Sequence, residues 1–159
     1  MKPSRGDILF AIKYKGTYLH YGIYVGGGNV IHYRTQDYTD NNQSHAKIIE
    51  TTLQEFAHGS PVYREPERDG AKWDIVTVRT AKKMLGSGLG EYNLINNNCE
   101  HFANYCKYGK KESFQISRLA SRFKLSIITP PLIGAYTLIE NYVLNNYMLT
   151  NKYDTIDIC

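Results

Sequence analysis

Three consecutive glycines between two apolar runs are the feature that most constrains the fold of this chain. The runs cover Tyr18–Val25 and Val30–His32, and they flank the segment Gly26-Gly27-Gly28-Asn29. Because glycine supplies the positive φ angles that tight hairpin turns need, the pattern predicts two antiparallel strands joined at this segment. The two arms of the predicted hairpin carry His20 and His32.

The relative placement of the two histidines depends on the length of the turn. If the three glycines form a three-residue loop, Val25 pairs with Asn29. In that register His32 pairs with Gly22, and both histidines point to the same face as diagonal neighbours about 7–8 Å apart. A four-residue loop would put the two side chains on opposite faces. A shared catalytic role for the histidines therefore predicts the three-residue loop.

The rest of the first hundred residues reads as short strands followed by short helices. Further strands are predicted at Ile8–Ile12, Lys47–Glu50 and Pro61–Arg64, a turn of helix at 52–59, a short helix at Thr80–Leu85, and a polar loop at 35–46. Strands that come first and helices that come later are typical of an α+β domain with a small antiparallel sheet.

A second helix is predicted to begin beside a cysteine. Asn96, Asn97 and Asn98 are good N-cap residues, and behind them Cys99, Phe102, Ala103 and Cys106 follow the helical i, i+3, i+4, i+7 spacing up to Gly109. A thiol at a helix N-terminus feels the positive end of the helix dipole, which favours the thiolate, and the same N–H groups can hold an oxyanion. A buried structural cysteine is the alternative for Cys99, and it is the preferred interpretation of Cys106.

Charge and cysteine content exclude several classes of protein. The net charge of +4 is too small to indicate a nucleic-acid-binding protein by itself. Three cysteines, without a CxxC pair, fit neither a disulfide framework nor a zinc site. The first seven residues lack the apolar stretch of a secretory signal, so we expect a reducing, cytoplasmic location.

The second half of the chain carries a basic cluster and then an apolar run. Residues 107–124 contain six Lys or Arg against Glu112, which indicates either a surface for anionic phosphate groups or a solvated helix face. Residues 125–139 carry no charge but are too short for a confident membrane span, and Pro130-Pro131 would break a helix there. We expect a shallow or hairpin insertion into a membrane surface; a final core helix is the alternative.

Two segments resemble the conserved boxes of the lecithin:retinol acyltransferase family. Asn97-Asn98-Cys99-Glu100-His101-Phe102, continued to Gly109, is similar to its NCEHF box. The segment from His20 to Gly26, ending in Val30-Ile31-His32, is similar to its histidine box, and Arg5-Gly6-Asp7 is similar to its opening. The resemblance runs from about residue 3 to residue 109.

The resemblance implies a fold, a site and an activity. The fold would be a permuted relative of the NlpC-type, papain-like cysteine peptidases over residues 3–110, followed by a basic connecting helix at 111–124 and an apolar tail at 125–159. Cys99 would be the nucleophile, His20 the general base and His32 the residue that orients His20, with Tyr92 as a further candidate. No metal or cofactor is implied. The acyl chain of a glycerophospholipid would pass through a cysteine thioester to water or another acceptor.

Two alternatives stay open on the same fold. One is a non-enzymatic regulatory or interaction protein, such as the H-box/NC proteins of some picornaviruses. The other is a cysteine peptidase or amidase of the wider superfamily. Retinol is not the expected acceptor, because the long insert of the retinol-specific branch between the two boxes is not recognisable here.

Overall fold

The computed structural model describes residues 1–13, 18–34, 46–87, 98–113 and 153–158. Within them the chain forms a six-stranded antiparallel sheet and three short helices, which confirms the predicted α+β class. The strands are β1 (Ile8–Lys13), β2 (Tyr18–Gly26), β3 (Asn29–Arg34), β4 (Lys47–Thr52), β5 (Val62–Arg64) and β6 (Asp154–Ile156). The helices are α1 (Leu53–Ala57), α2 (Asp74–Lys83) and α3 (Cys99–Tyr108).

The strands are ordered β4-β3-β2-β1-β5-β6 across the sheet. Helices α2 and α3 cover one face, where Phe10, Tyr21, Ile31 and Phe102 belong to the larger apolar cluster. Helix α1 covers part of the other face through Phe56. Because both faces of the central strands are covered, β1 is a continuous apolar run at its start instead of an alternating one.

The hairpin between β2 and β3 reaches the predicted placement of its histidines by a different turn. Gly22 pairs with His32, as expected for the three-residue loop. The prediction that Val25 pairs with Asn29 is wrong: Gly26 pairs with Asn29, and an irregularity between Tyr24 and Gly26 leaves an extra residue in β2. A β-bulge of this kind shifts the register by one residue. The observed turn has two residues and by itself would shift the pairing of β2 with β3 by one residue. The extra residue in β2 shifts it back, so Gly22 still pairs with His32.

The helix ends follow from local sequence at α1 and α3. Thr52 and Glu55 form a capping box at the start of α1, and Asn98 and His101 form another at the start of α3. Gly109 ends α3 in the left-handed conformation, with φ 76°. The predicted start of α3 at Cys99 and its end at Gly109 are thus confirmed.

The prediction for α2 was wrong in its extent. The helix covers Asp74–Lys83, whereas Thr80–Leu85 was predicted. Its N-cap position is Trp73, whose side chain makes no capping hydrogen bond, and Trp73 and Ile75 are exposed, at 81% and 62%. The start of α2 thus has neither a polar cap nor an amphipathic pattern, the two signals by which a helix is recognised from sequence.

Two features of the second half of the chain were not predicted. Strand β6 pairs with β5, so the segment 125–159 contains the sixth strand of the sheet. Lys107 was counted in the basic surface, but its side chain is 3% exposed and its Nζ lies 2.7 Å from Glu67 Oε2 and 2.8 Å from Asp74 Oδ1. Lys107 is therefore a buried, paired lysine and does not belong to a phosphate-binding surface.

The apolar run 125–139 and the basic residues from 118 to 124 lie outside the described residues. Among the helices that the structure describes, all are too short or too polar to cross a membrane.

Candidate active site

The N-terminus of α3 holds Cys99 in a fixed position. Asn98 Oδ1 accepts hydrogen bonds from the backbone N–H groups of Glu100 and His101, at 2.9 and 3.1 Å. His101 Nδ1 in turn accepts from the backbone N–H of Asn98, at 3.2 Å. These bonds satisfy three donors that a helix start leaves without intrahelical partners. His101 is therefore a hydrogen-bonded structural residue.

The thiol of Cys99 lies against β2. Its side chain has no solvent exposure, and Sγ accepts a hydrogen bond from the backbone N–H of Tyr21 at 3.4 Å. The thiol also lies 3.8 Å from the carbonyl oxygen of Leu19. Leu19 and Tyr21 are the two neighbours of His20 in the chain, so the thiol is placed beside the backbone of that histidine. An N–H donor and the positive end of a helix both favour the thiolate.

The two histidines are in direct contact. His20 Nε2 and His32 Nδ1 are 2.7 Å apart, and the rings meet edge to face with an interplanar angle of 86°. His32 Nε2 lies 3.0 Å from the hydroxyl oxygen of Thr51 on β4. The prediction that both histidines lie on one face of the hairpin is confirmed. The result is a row of hydrogen-bonded groups from His20 through His32 to Thr51.

A phenylalanine and a glycine shape the space around this pair. Phe56 of α1 packs against both rings, with centroid distances of 5.2 Å to His20 and 5.3 Å to His32. A Cβ at Gly22 would lie 2.5 Å from Val30 Cγ1 and 3.0 Å from Phe56 Cε2. Because such approaches are shorter than normal contacts, a larger residue at position 22 would displace Val30 and Phe56.

Burial and two cations keep both imidazoles neutral. Desolvation, with the charges of Lys13 and Arg34, lowers the pKa of His20 to about 3. Desolvation, with the charges of His20 and then Arg34 and Lys13, lowers the pKa of His32 well below its ordinary value. His20 therefore carries an unprotonated ring nitrogen over the whole physiological pH range and can accept a proton.

The cation of Lys13 is anchored at the end of α1. Its Nζ donates to the carbonyl oxygens of Phe56 and Ala57, at 3.0 and 2.5 Å. A cation at a helix C-terminus is favoured by the free carbonyls there. Burial, together with the charge of Arg34, lowers the pKa of Lys13 to about 8.

Other site predictions had mixed outcomes. Cys106 is fully buried in the larger apolar cluster, as expected for a core thiol. Tyr92 lies outside the described residues. Within the described ranges, no group of three or more His, Cys, Asp or Glu side chains is arranged to hold a metal ion.

No local sequence pattern singles out Thr51 or Phe56. Both lie after the polar segment 35–46, whose length does not fix how β4 pairs with β3. Once His32 is known to pair with Ile49, Thr51 follows as the diagonal neighbour of His32 on the same face. The pairing of β3 with β4 is thus the information that the sequence pattern lacked.

Comparisons with known proteins show which family this chain resembles. A family model described as lecithin retinol acyltransferase matches residues 1–112. Lecithin retinol acyltransferase from Mus musculus is 30% identical over 146 residues, and the protein from Homo sapiens is 32% identical over 147 residues. Each alignment covers 77% of this chain and 62% of the relative, so the chain spans less than two thirds of those proteins.

A second group of relatives carries a different name. Phospholipase A and acyltransferase 2 from Homo sapiens is 26% identical over 128 residues, an alignment that covers 73% of this chain and 77% of that protein. The residues matched by the family model include the elements that carry Cys99, His20, His32 and Thr51.

Proposed function

Because the chain belongs to the lecithin retinol acyltransferase family, we propose that it is a cysteine-dependent phospholipase or acyltransferase acting on glycerophospholipids. The names of its relatives, an acyltransferase and a phospholipase A with acyltransferase, support an enzyme of this class. The observation that carries the proposal is the contact of the Cys99 thiol with the two peptide groups that flank His20. A nucleophile beside a neutral, oriented base is the arrangement that acyl transfer needs.

The proposed reaction has two halves. In the first, His20 takes the proton of the Cys99 thiol, and the thiolate sulfur attacks an ester carbonyl carbon of the phospholipid. The backbone N–H of Cys99, at the start of α3, stabilises the oxyanion. The tetrahedral intermediate expels the lysophospholipid oxygen, which takes the proton back from His20. In the second half, water or another acceptor attacks the thioester while His20 takes its proton. The C–S bond breaks, the acid or new ester departs, and the Cys99 thiolate takes the proton back from His20.

His32 has an orienting role in this proposal. Its hydrogen bond to His20 holds the base in position and stabilises the imidazolium that forms during each half of the reaction. Tyr92 stays a candidate for the same site.

A membrane-surface location is part of the proposal, because the substrate lies in a bilayer. The segment 125–139 would supply the apolar contact, with the basic residues before it. Deleting residues 125–139 and sedimenting the protein with anionic vesicles at low salt tests this location. Retained vesicle binding by the folded deletion variant would contradict it. The division into 3–110, 111–124 and 125–159 likewise stays a prediction.

The decisive experiment follows the acyl group. The full chain is incubated with phosphatidylcholine labelled in its acyl chains, and the intact protein and the released lipids are measured by mass spectrometry. We expect one labelled acyl group on the Cys99 peptide, removable by hydroxylamine, together with lysophospholipid. Cys106→Ala is the matched control and should carry the same label. A protein that acquires no acyl group and releases no lysophospholipid would favour the non-enzymatic alternative.

A further inference from the structure

The row of hydrogen bonds that begins at His20 ends at the Thr51 hydroxyl, which also has a carbonyl oxygen within hydrogen-bonding distance. Thr51 Oγ1 donates to the carbonyl oxygen of Thr52 at 3.3 Å. A hydroxyl has one proton to donate and two lone pairs to accept with. With its proton used toward Thr52, the oxygen of Thr51 accepts from His32 Nε2, which is 3.0 Å away. In this arrangement His32 carries its proton on Nε2.

The position of that proton determines the state of the next ring. A neutral imidazole has one N–H and one lone pair, so His32 Nδ1 must be an acceptor. The 2.7 Å contact then requires His20 Nε2 to be the donor. The lone pair of His20 is left on Nδ1, the ring nitrogen nearer to the backbone. Cys99 Sγ lies against the peptide groups on both sides of His20.

We propose that Thr51 is a positioning residue that fixes the tautomers of His32 and His20, so that the base presents a lone pair to the Cys99 thiol. The link to turnover rests on the proposed function, whereas the tautomers themselves do not. When the Sγ–H proton moves to His20 Nδ1, a thiolate and an imidazolium form, and the His20 Nε2–H bond to His32 is unchanged. No rearrangement of the remaining hydrogen bonds is needed.

The reversed arrangement would prevent the reaction. If His32 carried its proton on Nδ1, it would donate to His20 Nε2, and His20 would carry its own proton on Nδ1. Nδ1 of His20 would then be a donor and could not act as a base. Both arrangements satisfy the contact between the two rings, so the hydroxyl of Thr51 decides between them.

Three variants test the role of this hydroxyl. Thr51→Val removes the hydroxyl at nearly constant shape, and valine suits a strand. Thr51→Ser keeps the hydroxyl. Thr155→Val is the matched control, because Thr155 is an exposed threonine on β6 at the opposite edge of the sheet.

Two measurements are made on the full chain. The first is steady-state turnover of phosphatidylcholine. Thr51→Val should lower kcat at least about tenfold with KM changed less than about twofold, because a wrong tautomer removes the base and leaves substrate binding intact. Thr51→Ser should stay within about threefold of the parent protein, and Thr155→Val should equal it. The second measurement is the ¹⁵N NMR spectrum of the histidine rings, in which protonated and unprotonated ring nitrogens resonate in separate regions.

The NMR spectrum of the parent protein should show Nε2–H on both His20 and His32, and Thr51→Val should change this pattern. Unchanged tautomers and unchanged kcat in a folded Thr51→Val protein would overturn the inference, as would an equal loss in Thr155→Val. A parent protein that turns over no phospholipid but loses its tautomer pattern in Thr51→Val would contradict the proposed function and leave the role of Thr51 supported.

Discussion

Each end of helix α3 carries a cysteine with no solvent exposure, but the electrostatic environments of the two thiols differ. At the first turn, Cys99 lies at the positive end of the helix and accepts a hydrogen bond from the N–H of Tyr21. Two turns later, Cys106 lies inside the apolar cluster, where burial raises its pKa to about 12. Burial is therefore common to both thiols, and they differ in their position along the helix and in their hydrogen-bond donors.

The neighbours of the two ends differ in the same way. The first end contacts the backbone on either side of His20, whose ring is hydrogen-bonded to His32. The second end holds Lys107 between Glu67 and Asp74, a set of ion pairs that ties α3 to α2 and to the segment before it. The first end has groups that can exchange protons, and the second has groups that hold elements together.

The largest expected difference between the ends is in turnover of the two cysteine variants. Cys99→Ser should lower phosphatidylcholine turnover by at least about 1,000-fold, since a hydroxyl is a far weaker nucleophile than a thiolate. The melting temperature should hardly change, because the substitution is nearly isosteric. Turnover assays and circular dichroism on the purified variants provide the check. Turnover near the level of the parent protein in Cys99→Ser would contradict the proposal that Cys99 is the nucleophile.

The two histidines at the first end should not be equivalent. His20→Ala should cost about 100- to 1,000-fold in kcat/KM, because the base itself is lost. His32→Gln should cost about tenfold, because glutamine can still hold a hydrogen bond to His20. Steady-state kinetics of both variants under one set of conditions measures the order. A larger loss in His32→Gln than in His20→Ala would contradict the roles proposed for them.

The two ends should respond to opposite extremes of pH. The pKa values of His20 and His32 are lower in the folded protein than the ordinary value of 6.5, so their stabilisation is complete above about pH 6.5 and is lost as the pH falls. Each should remove about 1 kcal/mol of unfolding free energy per pH unit in this range. The pKa of Cys106 is raised to about 12, so its stabilisation is complete below about pH 9 and is lost as the pH rises.

Urea unfolding between pH 4 and 10 measures both responses. His32→Gln should make the acid slope shallower by about 1 kcal/mol per pH unit without affecting the alkaline one. Cys106→Ala should make the alkaline slope between pH 9 and 10 shallower than in the parent protein, without affecting the acid slope. Identical acid slopes in His32→Gln and the parent protein would mean that His32 is not held neutral by the fold.

The smallest expected effect on turnover is that of Cys106→Ala. Removing one sulfur atom from the core should lower the unfolding free energy by about 1–2 kcal/mol. Turnover should stay within about twofold, because the thiol lies two helical turns from Cys99. Urea unfolding at pH 7 and the turnover assay measure the two quantities. A tenfold loss of activity in a protein that is still folded would show that the ends are coupled.

Local sequence predicted much of this site because its parts are local. The start of α3 follows from Asn98 and the helical spacing behind it, and the hairpin follows from its glycines and apolar arms. Strand β6 and the Thr51 contact depend on pairings between distant parts of the chain, which spacing does not encode. The hairpin turn shows that even a local element is not fully determined by its pattern. The placement of His32 was predicted correctly, but the pairing of Val25 was not. A short turn with a bulge and a longer turn without one give His32 the same partner.

The exposed indole of Trp73 determines which optical signals can report on this protein. It belongs to the one tryptophan in the sequence, and its side chain is 81% exposed. Because the indole is already in water, unfolding should shift its emission little, so stability is better followed by circular dichroism. For the same reason, a blue shift of its fluorescence would report contact of the start of α2 with a lipid or protein surface, free of background from the core.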